Sequence, residues 1–346
     1  MSEDSGGTSV ASSSSPPSPS TESEASEDRD AASFEFTVTA MLDQLMPPAI
    51  PNDRVFVDVY DRVAAADALA LSDADHFRRA LGIPGTGSID EAEAETGWGA
   101  ETIRLHGSVE SPPERFAVVV GPVSWNEDAA DLGGGVASLG EGSDFARNVS
   151  ARTQLRPIGR PLRVADDGGV LAASSSTDLL RGWLDGSAEP LGNDDRFSTV
   201  ARAFDERGVF QAAFIDGSFD VDRRFEDLSP ERRAEIDLPE VPIKETFDLV
   251  AYGVVERDGE LGEVIAWVFA DEGAASRAVD QIIVAASADQ PAAPGRTDHS
   301  LSTFYEIIDI VASGRAVIAD VAYTDDGAPG SVTHLINVDD LAFVHP

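Results

Sequence analysis

Three aspartates close together are the residues of this chain best suited to chemistry. Asp216, Asp220 and Asp222 fall in the run DGSFDVD, directly after a β-prone stretch. Carboxylate oxygens at that density suit a hard cation, calcium above all. The spacing departs from an EF-hand loop, and no glutamate stands at the closing position. In a chain with 63 acidic residues, neighbouring aspartates also arise from composition alone. The three are carried forward as calcium candidates, and no other cofactor is expected.

Other chemistries find less. His76, His106, His299, His334 and His345 stand far apart, with no H-x-H or H-E-x-x-H pattern to hold a metal. His106 lies within a strand-like stretch, where it reads as a polar side chain on an open sheet face. The G-x-S-x-G elbow of serine hydrolases is absent. Glycine-rich loops at 82–87 and 133–142 lack the Gly-Lys-Ser/Thr ending of a phosphate cradle, and no G-x-G-x-x-G opens a helix. The chain has no cysteine, which removes disulfides, thiolate metal sites and cysteine nucleophiles. A carboxylate pair for glycoside hydrolysis cannot be singled out among so many acids. Asn148-Val149-Ser150 is a glycosylation sequon that matters only outside a membrane. Trp125, Trp183 and Trp267 read as core or rim residues, with an aromatic binding patch as the alternative.

The formal charge of −38 is far beyond what solubility needs, and Lys244 is the lone lysine. Such a load repels itself, and molar salt relieves it by shrinking the Debye length to about 3 Å. The pattern is that of a haloarchaeal-type protein, because the acids run through the hydrophobic segments and not only the tail. The same charge argues against nucleic acid, which needs a basic footprint, and against anionic membrane surfaces.

These residues must be positioned by elements the pattern announces. Residues 1–32 are Ser, Pro, Glu and Asp with almost nothing apolar, so they are expected to be a disordered tail. Two readings of it stand open: an ordinary acidic tail on a soluble cytoplasmic protein, or the stalk of an extracytoplasmic, lipid-anchored one whose true start lies upstream. No transmembrane segment is expected. RVFVDVY at 54–60 is a strand, followed by a helical region at about 64–81 and an acidic stretch of unclear structure at 89–95. Hairpins are expected at 102–120, 162–173, 249–269 and 305–323, the third turning on Asp258-Gly259. Helices are expected at 143–153, 177–184, after Asn193-Asp194, and from Asp271 to about 287. A last β-like stretch covers about 332–338.

Laid side by side, the two halves repeat. The strand at 54 answers the one at 208, and hairpin, helix and hairpin follow in the same order at offsets of roughly 145 to 155 residues. The expected fold is α+β: two related units at 33–205 and 206–346 from a tandem duplication, each an antiparallel sheet with helices on one face.

The segment GVLAASSSTDLLRGWLDGSAEPLGNDDRF, running on to VFQAAFID at 209–216, resembles a recurring segment of large extracytoplasmic bacterial proteins of unknown function, the DUF3352-type family. The likeness spans about fifty residues and is carried by Leu171, Leu179, Leu180, Leu191, Asp194, Asp195, Phe197 and Val209. It implies packing and capping roles and no catalytic residue, in proteins that usually carry a membrane anchor. The expectation for function is a non-catalytic halophilic binding or interaction module with a protein or small-molecule partner, either free or tethered at the cell surface. The alternatives are a carboxylate-based hydrolase with its site between the two units, and a calcium-stabilised surface protein.

Overall fold

Asp258 (φ 54°) and Gly259 (φ 84°) both take the left-handed conformation that a two-residue hairpin needs. They join Phe247–Arg257 to Glu260–Phe269 in unbroken register from Glu260↔Arg257 to Val268↔Leu249. This is the longest strand pair of the molecule, and its Asp-Gly turn is plain in the sequence. The structure, a computed structural model, describes residues 34–48, 54–69, 89–96, 98–112, 114–125, 129–153, 155–156, 158–220, 241–287, 300–338 and 340–346. The expected tail at 1–32, the loop at 82–87 and Asp222 lie outside the described residues.

Twelve strands form one antiparallel sheet. They are β1 (Arg54–Asp61), β2 (Leu105–Ser111), β3 (Glu114–Val120), β4 (Ala130–Asp131), β5 (Val136–Leu139), β6 (Leu162–Asp167), β7 (Val170–Ser174), β8 (Gln211–Gly217), β9 (Phe247–Arg257), β10 (Glu260–Phe269), β11 (Tyr305–Ser313) and β12 (Ala316–Tyr323). Their order is β11-β12-β10-β9-β8-β1-β2-β3-β7-β6-β5-β4. The two halves meet where β1 pairs antiparallel with β8, from Arg54↔Gly217 to Tyr60↔Gln211. Outward from that seam the order is β1-β2-β3-β7-β6 on one side and β8-β9-β10-β12-β11 on the other. Each side is thus a strand, a hairpin and a second hairpin inserted in reverse. The boundary at 205/206 falls just before β8, and the sheet runs across it without a break.

The helices are α1 (Val38–Leu42), α2 (Arg62–Leu69), α3 (Ile89–Thr96), α4 (Thr177–Leu184), α5 (Asp195–Asp205), α6 (Glu272–Ala286), α7 (Leu301–Phe304) and α8 (Ser331–Asn337). They cover both faces of the sheet, not one. Alternation along β10 shows this directly: Val264, Ala266 and Val268 pack into the core under α1, α4 and α5, whereas Ile265, Trp267 and Phe269 pack under α6 and α8. An inner strand buried on both sides needs a cover for each, so a one-face arrangement would leave Trp267 in water. On the first face, Phe197 and Phe204 of α5 sit 5.5 and 5.9 Å from the Phe214 ring. Burying each contributes on the order of 1.5–3 kcal/mol. Asp205, at the end of α5, accepts from the backbone of Val38 (2.6 Å) and Thr39 (3.2 Å) and so caps α1.

Asp271 caps α6 as expected, accepting from Ala274 N at 2.8 Å. The buried stripe of α6 is Ala274, Ala275, Ala278, Ile282, Ala285 and Ala286, while Ile283 is 40% exposed. Two local expectations fail, and one stretch left undecided resolves as a helix. The helix at 143–153 is a coil with one 3-10 turn at Val149–Ala151, and Phe145 near its start holds a positive φ of 60° that a helix does not take. The β-like stretch at 332–338 is α8, whose Val332, Leu335 and Ile336 are buried at helical spacing. The acidic stretch at 89–95 is α3, with Asp90 and Glu91 in its first turn where the helix dipole favours them. Among the described residues no helix is long and apolar enough to cross a membrane.

Candidate ligand-binding cavity

Over the second half of the sheet, α6 lies against β10, β11 and β12 and fills the face with small side chains. The equivalent connection in the first half, between β3 and β6, forms no such helix. It makes the short β4–β5 ladder and then a looping chain from 140 to 161. What it leaves over β3, β6 and β7 is a cavity of about 210 Å³.

The floor is set by strand register. Ala117↔Ala173 and Val119↔Leu171 are paired across β3 and β7, so their side chains share one face, joined by Leu162 of β6. Two alanines in place of larger residues are what make the hollow. Trp125, Leu155 and Ile158 form the apolar walls. Trp125 is fixed by donating Nε1–H to the Ala165 carbonyl at 3.0 Å and by the Trp98 ring at 4.6 Å. Trp98 is itself held by Nε1–H to the Ser124 carbonyl at 2.7 Å.

The polar part of the wall is basic. Arg115, Arg156 and Arg160 line the cavity, and no carboxylate does among the described residues. Arg156 donates from Nε to Glu95 Oε1 at 2.8 Å, and Thr153 donates to the same oxygen at 3.0 Å. Both side chains of that pair are only about 13–14% exposed. This ties the loop to α3. Arg115 Nε lies 3.2 Å from Glu110 Oε1. Desolvation lowers the Arg115 pKa, against the pull of Glu110 and Asp58.

A second anchor holds the loop to the opposite sheet face. Asp144 accepts from Arg163 Nε (2.7 Å) and from the Thr177 N–H (2.7 Å) and hydroxyl (2.8 Å). Burial pushes its pKa up, but these donors outweigh it and hold the carboxyl below its ordinary value. Arg163 also donates to the Gly142 carbonyl at 2.7 Å and to Ser138 Oγ. Gly159 closes the loop at φ 66°, where a Cβ would stand 1.7 Å from the Asn148 carbonyl oxygen. Only glycine fits there.

The sequence candidates lie elsewhere. Asp216, in β8, is bridged by both terminal nitrogens of Arg196 at 2.8 and 3.1 Å. Burial raises its pKa over the opposing pull of Arg196. Asp220 follows in an isolated bridge to His345. Among the described residues no three His, Asp or Glu side chains converge as a metal site. His106 is not on an open face: it is buried, with Nε2 3.3 Å from Asp58 Oδ2 and its ring 4.9 Å from Tyr60. His345 is buried too, with Nε2 3.0 Å from the Phe247 carbonyl oxygen. Asn148 of the sequon is exposed and caps the 3-10 turn. Trp183 and Trp267 are core residues.

Arg115, Arg156 and Arg160 form no recognisable motif, yet the sequence carries a signal for two of them. From Arg147 to Arg163 the chain carries Arg147, Arg152, Arg156, Arg160 and Arg163 and no acid at all. In a chain this acidic such a stretch is out of character.

No family model matches this chain, and no curated protein matches it. Among solved structures it is similar to crystal form I of TP0453, at a TM-score of 0.37 and 9% identity, covering 88% of this chain and 97% of that one. Crystal form III of TP0453 gives 0.31 and 8%, over 89% and 98%. At these values the likeness assigns neither fold nor function.

Proposed function

We propose that the protein is a non-catalytic binding module whose site is the cavity over β3 and β7. The observation that carries this is the cavity's composition: an apolar floor and walls, a few fixed polar groups, and arginines but no carboxylate among the described lining. That is the make-up of a small-molecule site. A carboxylate-based hydrolase would ask for two convergent acids in a cleft, and this wall offers guanidinia.

The repeated strand order supports a tandem duplication, with the two copies at about 33–205 and 206–346. On that reading the copies have divided the work. The second closes its sheet face with α6 and braces the molecule, and the first keeps the same position open for a ligand. The acidic, almost lysine-free composition supports a setting of molar salt. Tethering at a cell surface by way of the N-terminal segment belongs to the same proposal and rests on composition.

The test is binding of 3-phenylpropanoate, 3-phenylpropanol and 3-phenylpropylamine, in molar potassium chloride, to the wild type and to Ala173→Phe. The variant fills the hollow from its floor. Trp125 fluorescence and melting temperature should respond to at least one probe in the wild type and to none in the variant. No response to any probe in the wild type, or equal responses in both proteins, would overturn the reading.

A further inference from the structure

We infer that the cavity takes a carboxylate-bearing molecule with a small apolar body, its head held by Arg115 and Arg160 and its body laid on Ala117, Ala173 and Leu171. The inference rests on the cavity being a binding site and names what that site selects.

Charge is the first argument. The chain as a whole repels anions, so an anion site cannot come from the overall field and must be built locally. Three arginines line one cavity, Arg156 and Arg160 of them on a chain segment free of acids from 145 to 165, and that is such a construction. A guanidinium has five donors in a planar fork, so an ion pair to one glutamate does not exhaust it. Arg156 is engaged to Glu95 through Nε and acts as the positioning residue of the set: it fixes the loop that carries Arg160. Molar salt screens the long-range repulsion while a guanidinium–carboxylate contact inside the cavity is screened much less.

Size is the second. An apolar cavity of about 150 Å³ admits benzene. The 210 Å³ here therefore suits one ring, or an acyl chain of similar bulk, with a short arm to the head group. The ring would meet Trp125 and Leu155, and the arm would run toward the arginines.

The experiment uses the same three probes, which share a body and differ in the head. The carboxylate is expected to bind wild type at least about tenfold tighter than the alcohol, and the amine weakest. Arg160→Gln and Arg115→Gln should each remove most of that preference while leaving the alcohol's affinity within about twofold. Because the readout is a ratio within one protein, a variant that is merely less stable does not mimic it. If acid and alcohol bind equally, or the amine binds best, the inference falls and the binding module stands. If nothing binds, both fall together. A preference that survives both arginine substitutions would assign the head group elsewhere and also overturn the inference.

Discussion

Glu263 is wholly buried in the middle of β10, and replacing it with glutamine should flatten the protein's stability against pH. Its Oε2 accepts from the Tyr305 hydroxyl at 2.8 Å, and its Oε1 accepts from the Tyr323 hydroxyl at 2.9 Å and the Gly330 N–H at 2.8 Å. Burial is the larger influence and pushes its pKa from 4.5 to about 7, the three donors pulling back. The folded state therefore holds a proton between those values that the unfolded chain has released. By linkage this contribution is fully present below pH 4.5 and is lost as pH rises through about 7. At about 1.4 kcal/mol per unit the whole span is worth about 3 kcal/mol. Surface acids give the same sign, since protonating them relieves the repulsion of the −38 charge. The comparison with Glu263→Gln isolates the buried group, and molar salt mutes the surface part. Urea unfolding across the window should show the wild type losing about 3 kcal/mol more than the variant between acid and about pH 8. Parallel profiles would refute the reasoning.

Other outcomes follow from single contacts. Tyr305→Phe removes a hydroxyl that both donates to Glu263 and accepts from Val332 N at 3.1 Å, and above neutral pH it should cost about 1–3 kcal/mol by urea unfolding. Gly159→Ala cannot fit against the Asn148 carbonyl; it should loosen the loop, lower the melting temperature by several degrees and weaken every cavity probe, against unchanged probe affinity if the loop were incidental. Ile282→Ala empties the α6 seam and should cost about 2–5 kcal/mol, whereas Ile283→Ala, on the exposed side, should fall within about 0.5 kcal/mol. Calcium at constant ionic strength should leave the melting temperature unchanged, because Arg196 already bridges Asp216; a rise reversed by chelator would show that the aspartates recruit a cation.

What could be read from the chain was whatever depends on near neighbours. The Asp258-Gly259 turn, the Asp271 cap and the start of α5 after Asn193-Asp194 are each decided within a few residues, and each stands where expected. The two-faced cover of the sheet was not legible, since a strand such as β10, apolar at every position from Val264 to Phe269, shows no alternation to point to a single core. The pairing of Asp216 was not legible either, because Arg196 is twenty residues away in sequence and close only in space.

The cavity was hidden for a more general reason. It arises from what two connections do differently, not from a motif in either. Between β10 and β11 the chain runs through an alanine-rich helix that lies on the sheet; between β3 and β6 it makes the β4–β5 ladder and then a loop whose 143–153 stretch is flanked by Gly140 and Gly142 before it and by Pro157, Gly159 and Pro161 after it. Set over Ala117 and Ala173, that loop creates a hollow, and its Arg156 and Arg160 line it together with Arg115 of β3. Had residues 143–153 formed a helix like α6, as their alignment with 272–287 suggested, the first half would be as closed as the second. The failed helix expectation and the cavity are the same fact, and the probes on Ala173→Phe test the proposed site from the floor while Gly159→Ala tests it from the roof.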